Sequence, residues 1–210
     1  MQSWSCFLVR SDMPGFERVR SELKMGMRAS AAAELNFNQV FVPASHLIGK
    51  ERQGWALNRA TLNYSRIPVA AMAVGIARSA CEISAAFCSQ HSLGGKRLLD
   101  FQHVQLTLAD MIASTRAIRA MTWQAASQWV PRQGMSAASK FYCTDVAMDV
   151  CEKAMDLLAN QSLNQQQGVE KLFRDARLTQ IFEGTNQINR LSLIEDMQEQ
   201  FLTLARQPKE

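Results

Sequence analysis

The sequence predicts a mainly α-helical fold, a four-helix bundle that follows a short β-rich segment. Two observations lead to this prediction. From about Gln53 onward, small and apolar residues recur at steps of three and four, which is the period of one helix face. Before that point, short apolar runs are separated by turn residues, a pattern typical of strands. We therefore expect a partial β-domain over residues 1–49 and a helical bundle over residues 50–210.

Turn residues and alternation define the expected strands. An apolar run covers residues 5–9, and the following Pro14-Gly15 pair favours a turn. In residues 34–42, apolar and polar side chains alternate until Pro43 ends the run. The sequence thus predicts two short strands, the second of which suits the edge of a sheet.

Three periodic stripes define the long helices of the bundle. They run through residues 67–88, 104–129 and 137–158, and each gathers small and apolar residues on one side of a helix. Gly94-Gly95 and residues 131–134 interrupt the pattern between them. Short links between long helices favour antiparallel packing, and the small stripe residues favour a close approach of the helices.

Two further helices follow the third stripe. A shorter helix is expected over residues 169–181, and Gly184 breaks it. Thr185 is a suitable N-cap for a last helix that reaches Leu204. We expect this last helix to complete the bundle.

Composition and charge exclude several classes of protein. A chain of 210 residues with 47% hydrophobic residues can bury a core, which excludes a disordered protein. The net charge is only +4 and the basic residues are scattered, so no nucleic-acid partner is expected. No run of about 18 apolar residues is evident, so no membrane span is expected. The first ten residues reach a charge too early for a signal peptide.

Cysteines and histidines indicate neither a disulfide scaffold nor a metal site. The five cysteines are odd in number and form no C-x-x-C pair, so we expect free thiols in a reducing compartment, the cytoplasm. The three histidines are scattered and lack the spacing of zinc or di-iron ligands, so no metal is expected.

The most specific motif is Phe182-Glu183-Gly184-Thr185. From spacing alone, Glu183 is an acid beside a helix start, which also describes a cap or a solvated carboxylate. The whole run of residues 172–188, LFRDARLTQIFEGTNQI, resembles the C-terminal signature of acyl-CoA dehydrogenases. Residues 37–43, FNQVFVP, and residues 101–111, FQHVQLTLADM, resemble two other segments of that family in the same order.

The resemblance implies a particular part of the family's architecture. It matches the end of the middle β-domain and the complete C-terminal four-helix up-and-down bundle, while the family's N-terminal helices and first β-strands have no counterpart. Because family bundles assemble as dimers of dimers, the resemblance also implies a homo- or hetero-oligomer.

The resemblance implies FAD-dependent α,β-dehydrogenation of an acyl-CoA thioester. In that reaction a glutamate removes the α-proton while a hydride leaves the β-carbon for the flavin. In most members the base is the glutamate of the E-G-T motif, which here is Glu183. Gly184, Thr185, Gln187 and Gln102 match positions that contact FAD. The usual electron acceptor of the family is an electron-transferring flavoprotein.

Two adjacent residues of the first long helix also match the family. Arg66 matches an arginine at the mouth of the active site, which implies a contact with substrate; the alternative for Arg66 is a surface ion pair. Some members place the base just before this arginine. Ser65 occupies that position here, which leaves Glu183 as the candidate base.

Two segments depart from the family pattern. His91 stands where the family has an arginine for the FAD pyrophosphate, so a fixed charge is lost. Asp156 replaces a glutamine, and Ala159 and Asn160 replace glycines beside the flavin. We therefore expect FAD binding that is weakened or depends on a partner.

These observations leave two kinds of function open. In the first, the chain is an acyl-CoA dehydrogenase subunit that needs a partner for the missing N-terminal domains. Alternatively, it is a non-catalytic oligomerisation module or a truncated fragment of such an enzyme. The intact E-G-T motif favours the first, and the altered His91 and Asp156 segments favour the second.

Overall fold

The computed structural model describes residues 4–205. The chain forms two compact units, the first ending at Leu62 and the second beginning at Asn63. The first unit contains two antiparallel strand pairs. The pairs are β1 (Cys6–Phe7) with β4 (Leu47–Ile48), and β2 (Phe16–Ser21) with β3 (Ala33–Phe37). Among residues 4–62 only Gly26 and Gly54 are buried, so these short ribbons have almost no core of their own.

The expected second strand is shorter than predicted. The sequence predicts a strand over residues 34–42, yet β3 ends at Phe37. The Asn38 N–H donates to the carbonyl of Gly15 at 2.9 Å, and Gln39 has a φ of +50°. A left-handed residue turns the chain away from the ladder, so this prediction was wrong in its C-terminal half. The expected first strand over residues 5–9 is reduced to the two residues of β1.

Helices make up most of the chain. The helices are α1 (Gly54–Gln90), α2 (Gln102–Ala126), α3 (Gln133–Leu158), α4 (Val169–Thr179) and α5 (Asn186–Ala205). The helix α1 begins in the first unit and continues through the second. The four long helices form the predicted up-and-down bundle, and the shorter α4 precedes the last of them.

The bundle core is built from small side chains. Four alanines of α1 are completely buried and share one core with Met111 and Ile118 of α2 and with two cysteines of α3. The alanines are Ala70, Ala73, Ala77 and Ala80, and the cysteines are Cys143 and Cys151. Because these side chains are short, the helix backbones can approach closely, as the stripes predicted.

A tight hairpin joins α1 to α2. Strand β5 (Ser92–Leu93) pairs with β6 (Lys96–Arg97), and the two loop residues are Gly94 and Gly95. Both glycines have positive φ, +59° and +78°. Two consecutive positive φ values are the requirement of a type I′ turn, which explains this glycine pair.

The helix α1 is long and apolar enough to cross a membrane by length and composition alone, which differs from the expectation of no such stretch. It has 37 residues and contains an 18-residue window with a mean hydropathy of 1.4. The alanines counted above raise this value, and they lie inside the bundle. A core helix of a bundle passes the same test, so the window is weak support for a membrane span.

Candidate active site

The E-G-T motif forms a strained turn between α4 and α5. Glu183 has a φ of +56° and Gly184 a φ of +84°. Glycine adopts such a conformation freely, whereas a glutamate in it costs about 1–3 kcal/mol and persists only when its surroundings hold it. Strain of this kind is concentrated at functional sites, and Glu183 is one of five non-glycine residues with a positive φ among the described residues.

The Glu183 carboxylate is held by a hydroxyl. Ser65 of α1 donates its Oγ–H to Glu183 Oε2, and the glutamate side chain is half-buried. The serine that replaces an alternative base in the sequence is therefore the hydrogen-bond partner of the candidate base. This contact joins the first helix of the bundle to the turn before the last one.

Arg66 lies under the same turn. Its side chain is only 4% exposed, and its Nε donates to the carbonyl of Glu183 at 3.5 Å. A second nitrogen, Nη1, donates to Asn63 Oδ1 at 3.4 Å. Arg66 is therefore buried, whereas the alternative interpretation placed it in an ion pair at the surface. A contact between Arg66 and substrate stays a prediction.

The structure adds Lys140, which the sequence analysis missed. Lys140 of α3 is completely buried, and its Nζ donates to the carbonyl of Gly184 and to Asn186 Oδ1, both at 2.8 Å. The pKa of Lys140 is lowered from 10.5 to about 8, mainly by burial and then by the nearby charge of Arg66. The charges of Asp145 and Glu183 act in the opposite direction.

A signal for Lys140 is present in the sequence. It stands in a line of buried α3 residues at steps of three and four, between Ala137 and Thr144 and followed by Ala147 and Cys151. A lysine in a stripe of small residues faces the core, where it needs acceptors for all its N–H groups. Phe141 and Met148 form an overlapping stripe on the same helix, which shares Thr144 and Cys151 with this line but does not include Lys140.

Thr185 and Gln187 begin α5 and share a polar cavity. The Ile188 N–H donates to Thr185 Oγ1 at 3.4 Å, which confirms Thr185 as the N-cap. Both residues line a cavity of about 230 Å³. The other polar side chains of its wall are Asp145, Arg177, Gln180, Asn186 and Arg190. Guanidinium, amide and hydroxyl groups give this cavity many hydrogen-bond donors.

Gln102 lies apart from this cluster. It is the first residue of α2 and is exposed. The hydrogen bonds described for residues 4–205 do not join it to the turn at Glu183. The structure therefore brings together Glu183, Gly184, Thr185 and Arg66, places Gln187 on the adjoining cavity, and leaves Gln102 elsewhere.

The two segments that depart from the family pattern, at His91 and at Asp156, have different local structures. The His91 ring stacks on Phe87 with centroids 3.9 Å apart, and its Nδ1 lies 2.9 Å from the Phe87 carbonyl oxygen. Asp156 is exposed and lines a cavity of about 380 Å³ with Lys153. Ala159 ends α3 with a φ of +47° and a ψ of −127°, a conformation that suits glycine.

The fold and this turn together define a C-terminal helical domain of the acyl-CoA dehydrogenase type. The family model described as acyl-CoA dehydrogenase, C-terminal domain, matches residues 52–198. The chain therefore belongs to the acyl-CoA dehydrogenase family. Among the described residues, no group of three or more His, Cys, Asp or Glu side chains is arranged to hold a metal ion.

Curated relatives carry the same assignment. The chain is 38% identical over 191 residues to the probable acyl-CoA dehydrogenase FadE25 of Mycobacterium tuberculosis, covering 89% of this chain and 49% of the relative. It is 34% identical over 190 residues to the short-chain specific acyl-CoA dehydrogenase of Clostridium acetobutylicum, covering 89% and 50%. The chain thus spans about half the length of the curated relatives that it matches.

Solved structures share the fold. Butyryl-CoA dehydrogenase from Megasphaera elsdenii matches with a TM-score of 0.90 at 33% identity, over 93% of this chain and 52% of that one. A structure of the electron transferring flavoprotein of Acidaminococcus fermentans matches with a TM-score of 0.88 at 34% identity, over 92% and 52%.

The residues of the turn fit FAD, the cofactor of this family. The guanidinium groups of Arg177 and Arg190 in the cavity beside Thr185 and Gln187 suit the oxygen-rich part of a dinucleotide, although Arg190 already pairs with Asp145 at 2.6 Å and Arg177 donates to Gln180 Oε1. Gly184 has no side chain, and the nearest heavy atoms to a Cβ built there are Asn189 Nδ2 at 3.4 Å and Arg66 Nη2 at 3.6 Å. The turn therefore presents bare backbone beside the candidate base.

Proposed function

We propose that this chain is the helical, base-bearing half of an FAD-dependent acyl-CoA dehydrogenase. The observation that carries the proposal is the Glu183 carboxylate, which a strained turn, Ser65 and Arg66 hold in one place. The resemblance of the E-G-T motif to the one that carries the family's catalytic base supports this role for Glu183. The reaction is α,β-dehydrogenation of an acyl-CoA thioester.

The proposed role of Glu183 is proton abstraction. Its carboxylate takes the α-proton of the acyl thioester, and the C–H electron pair becomes the new Cα–Cβ double bond as a hydride leaves the β-carbon. FAD, when bound, supplies the hydride acceptor. Ser65 donates to one carboxylate oxygen, Oε2, and so leaves the other as the oxygen that takes the proton. We assign Arg66 to the substrate side of the turn.

Thr185, Gln187 and the backbone at Gly184 are the proposed cofactor-holding groups of this turn. Thr185 and Gln187 share the donor-rich cavity with Arg177 and Arg190. Gln102 is proposed as a further contact because it matches a flavin-contact position, although it lies apart from the turn.

A partner completes the proposed enzyme. The chain covers 49% of the length of FadE25, and its bundle exposes large apolar side chains. Examples are Trp123, 66% exposed, and Trp129, 94% exposed. Exposed aromatic residues of this size favour burial against another protein surface. We propose a homo- or hetero-oligomer in the cytoplasm, where the five free cysteines stay reduced, with an electron-transferring flavoprotein as electron acceptor.

A second candidate function is a non-catalytic oligomerisation module, or a truncated fragment. It is favoured by His91, whose ring is engaged with Phe87, and by the exposed carboxylate of Asp156. A histidine lacks the permanent charge of arginine, and an aspartate repels a pyrophosphate. These features oppose flavin binding rather than proton abstraction.

Flavin retention and turnover separate the two functions. The purified chain is incubated with FAD and desalted, and its visible spectrum is recorded alone and with a candidate partner subunit. Under the first function a flavin band remains, and added acyl-CoA bleaches it. The Glu183→Gln variant should retain the band and lose the bleaching, because an amide cannot accept the α-proton. Glu152→Gln, on the exposed face of α3, is the matched control and should behave like the unmodified chain.

The opposite outcome is equally specific. A stable oligomer without a flavin band in any complex would exclude the enzymatic proposal and support the oligomerisation module. Bleaching that persists in Glu183→Gln would exclude Glu183 as the base while leaving the family reaction in place.

A further inference from the structure

We propose that Lys140 is a positioning residue for Glu183, holding the carbonyl of Gly184 and so fixing the turn that directs the Glu183 carboxylate. Neither the family match nor the motif assigns this lysine a role. The inference deepens the proposed function, on which it rests for the role of Glu183 as a base. The hydrogen bond from Lys140 to the turn does not depend on that function.

The carbonyl of Gly184 accepts hydrogen bonds from side chains of two helices. Lys140 Nζ of α3 donates to it at 2.8 Å, and Asn189 Nδ2 of α5 donates to it at 2.8 Å. Both side chains are completely buried. A carbonyl with two buried donors has a fixed direction. This direction fixes the plane of the peptide bond between Gly184 and Thr185.

Lys140 also fixes the chain after the turn. The same Nζ donates to Asn186 Oδ1 at 2.8 Å, and Asn186 is the first residue of α5. Asn186 in turn donates to Asp145 Oδ1 at 2.7 Å and to Thr144 Oγ1 at 2.9 Å. One ammonium group on α3 therefore bridges the turn and the start of the next helix.

The strain at Glu183 explains why such a hold is needed. A glutamate at a φ of +56° relaxes toward negative φ unless its neighbours oppose the change. Relaxation would swing the carboxylate away from Ser65 Oγ and reorient the Glu183 carbonyl that Arg66 contacts. Lys140 opposes this relaxation because it holds the carbonyl of the next residue, Gly184.

A single labelled carbonyl tests the contact. Gly184-Thr185 is the only Gly-Thr pair in the sequence. Labelling the full chain with carbonyl-¹³C glycine and ¹⁵N threonine therefore gives one carbonyl-coupled amide signal in the NMR spectrum, that of this pair. The signal is followed from pH 7 to pH 9 with Lys140→Met and, as matched control on the same helix, Lys153→Met. Lys153 pairs with Asp149 at 2.8 Å near the surface.

The expected signature is a titration of the Gly184 carbonyl. Its shift should change with a midpoint near the lowered pKa of Lys140, about 8, because the ammonium loses its charge there. The charged groups around Lys140 are Arg66 of α1, Asp145 of α3 and Glu183 of the turn. Lys140→Met should abolish the titration, and Lys153→Met should keep it. A flat Gly184 signal in the unmodified chain, or the same titration in Lys140→Met, would overturn the proposal.

The Lys140→Met variant is expected to fold. Gly184 O keeps its bond from Asn189, and Asn186 Nδ2 keeps its bonds to Thr144 Oγ1 and Asp145 Oδ1. The titration of the unmodified chain tests the proposal even if this variant is unstable. In the reconstituted enzyme Lys140→Met should lower kcat about 100-fold with little change in KM, because the base is misplaced. An inactive unmodified enzyme would refute the proposed function and leave the NMR test of Lys140 intact.

Discussion

Glu183 and Ala159 both have side chains on backbone that favours glycine, with φ values of +56° and +47°. At Glu183 the side chain contacts Ser65, and Arg66 contacts the backbone, so the strain accompanies a defined carboxylate position. Ala159 has only a methyl group, which is exposed. Its strain therefore has no matching contact, and it lies in one of the segments that depart from the family pattern.

Replacing Ala159 by glycine should stabilise the protein. Relief of about 1–3 kcal/mol of backbone strain exceeds the entropic cost of glycine, about 0.5–1 kcal/mol. A net gain of about 1 kcal/mol corresponds to about 2–4 °C in Tm for a chain of this length. The matched control is Ala109→Gly on the exposed face of α2, which should lower the Tm. A lower Tm in both variants would show that the Ala159 backbone is not strained.

Candidate site residues came from the sequence in two ways. The resemblance of its motif to the family signature selected Glu183, whose role as a base stays a prediction, and cap chemistry selected Thr185 as an N-cap, which the structure confirms. Neither selected Lys140, because its role depends on the carbonyl of Gly184, 44 residues away in sequence. The positive φ of Glu183 was equally hidden, since a glutamate there opposes the local preference and tertiary contacts impose it.

At the scale of elements, the helices were predictable and the strands were not. The three stripes lie within or close to α1, α2 and α3 because burial of one face repeats over many turns. The end of β3 instead depends on one contact between Asn38 and Gly15, which no period encodes. In a long helix the periodic pattern is repeated over many residues, so one exception does not hide it. The bounds of a five-residue strand such as β3 depend instead on contacts with neighbouring segments.

The alanine stripe of α1 gives the prediction at this scale. Ala77 is completely buried in the bundle core, so Ala77→Leu has no room and should lower the free energy of unfolding by about 1–3 kcal/mol. Ala86→Leu, at an exposed position of the same helix, should change it by less than about 0.5 kcal/mol. Urea unfolding measures both. Equal effects of the two substitutions would mean that the stripe does not set the distance between helices.

At the scale of the whole molecule, the core contains four thiols with raised pKa values. Burial raises the pKa of Cys81, Cys88, Cys143 and Cys151, the last to about 12. A thiol in the unfolded chain loses its proton near pH 8.5. Above that pH the folded state binds more protons than the unfolded state, so the free energy of unfolding falls as pH rises. Lys140 has the opposite effect. Between its folded pKa of about 8 and its ordinary value of 10.5, the unfolded state binds more protons at this lysine, so it raises the free energy of unfolding as pH rises. This is the effect of one group, whereas four thiols act in the other direction.

Cys151 isolates this effect because it is completely buried and its pKa is raised to about 12. Between about pH 9 and pH 11 it should contribute a fall of about 1.4 kcal/mol per pH unit in the free energy of unfolding. Urea unfolding under reducing conditions at several pH values measures the slope. Cys151→Ala should lower the stability at every pH through its cavity, yet make the slope shallower by that amount. Val150→Ala, which leaves a cavity in the same helix but removes no thiol, should leave the slope unchanged. If Cys151→Ala keeps the original slope, ionisation of the core thiols does not limit the alkaline stability of the bundle.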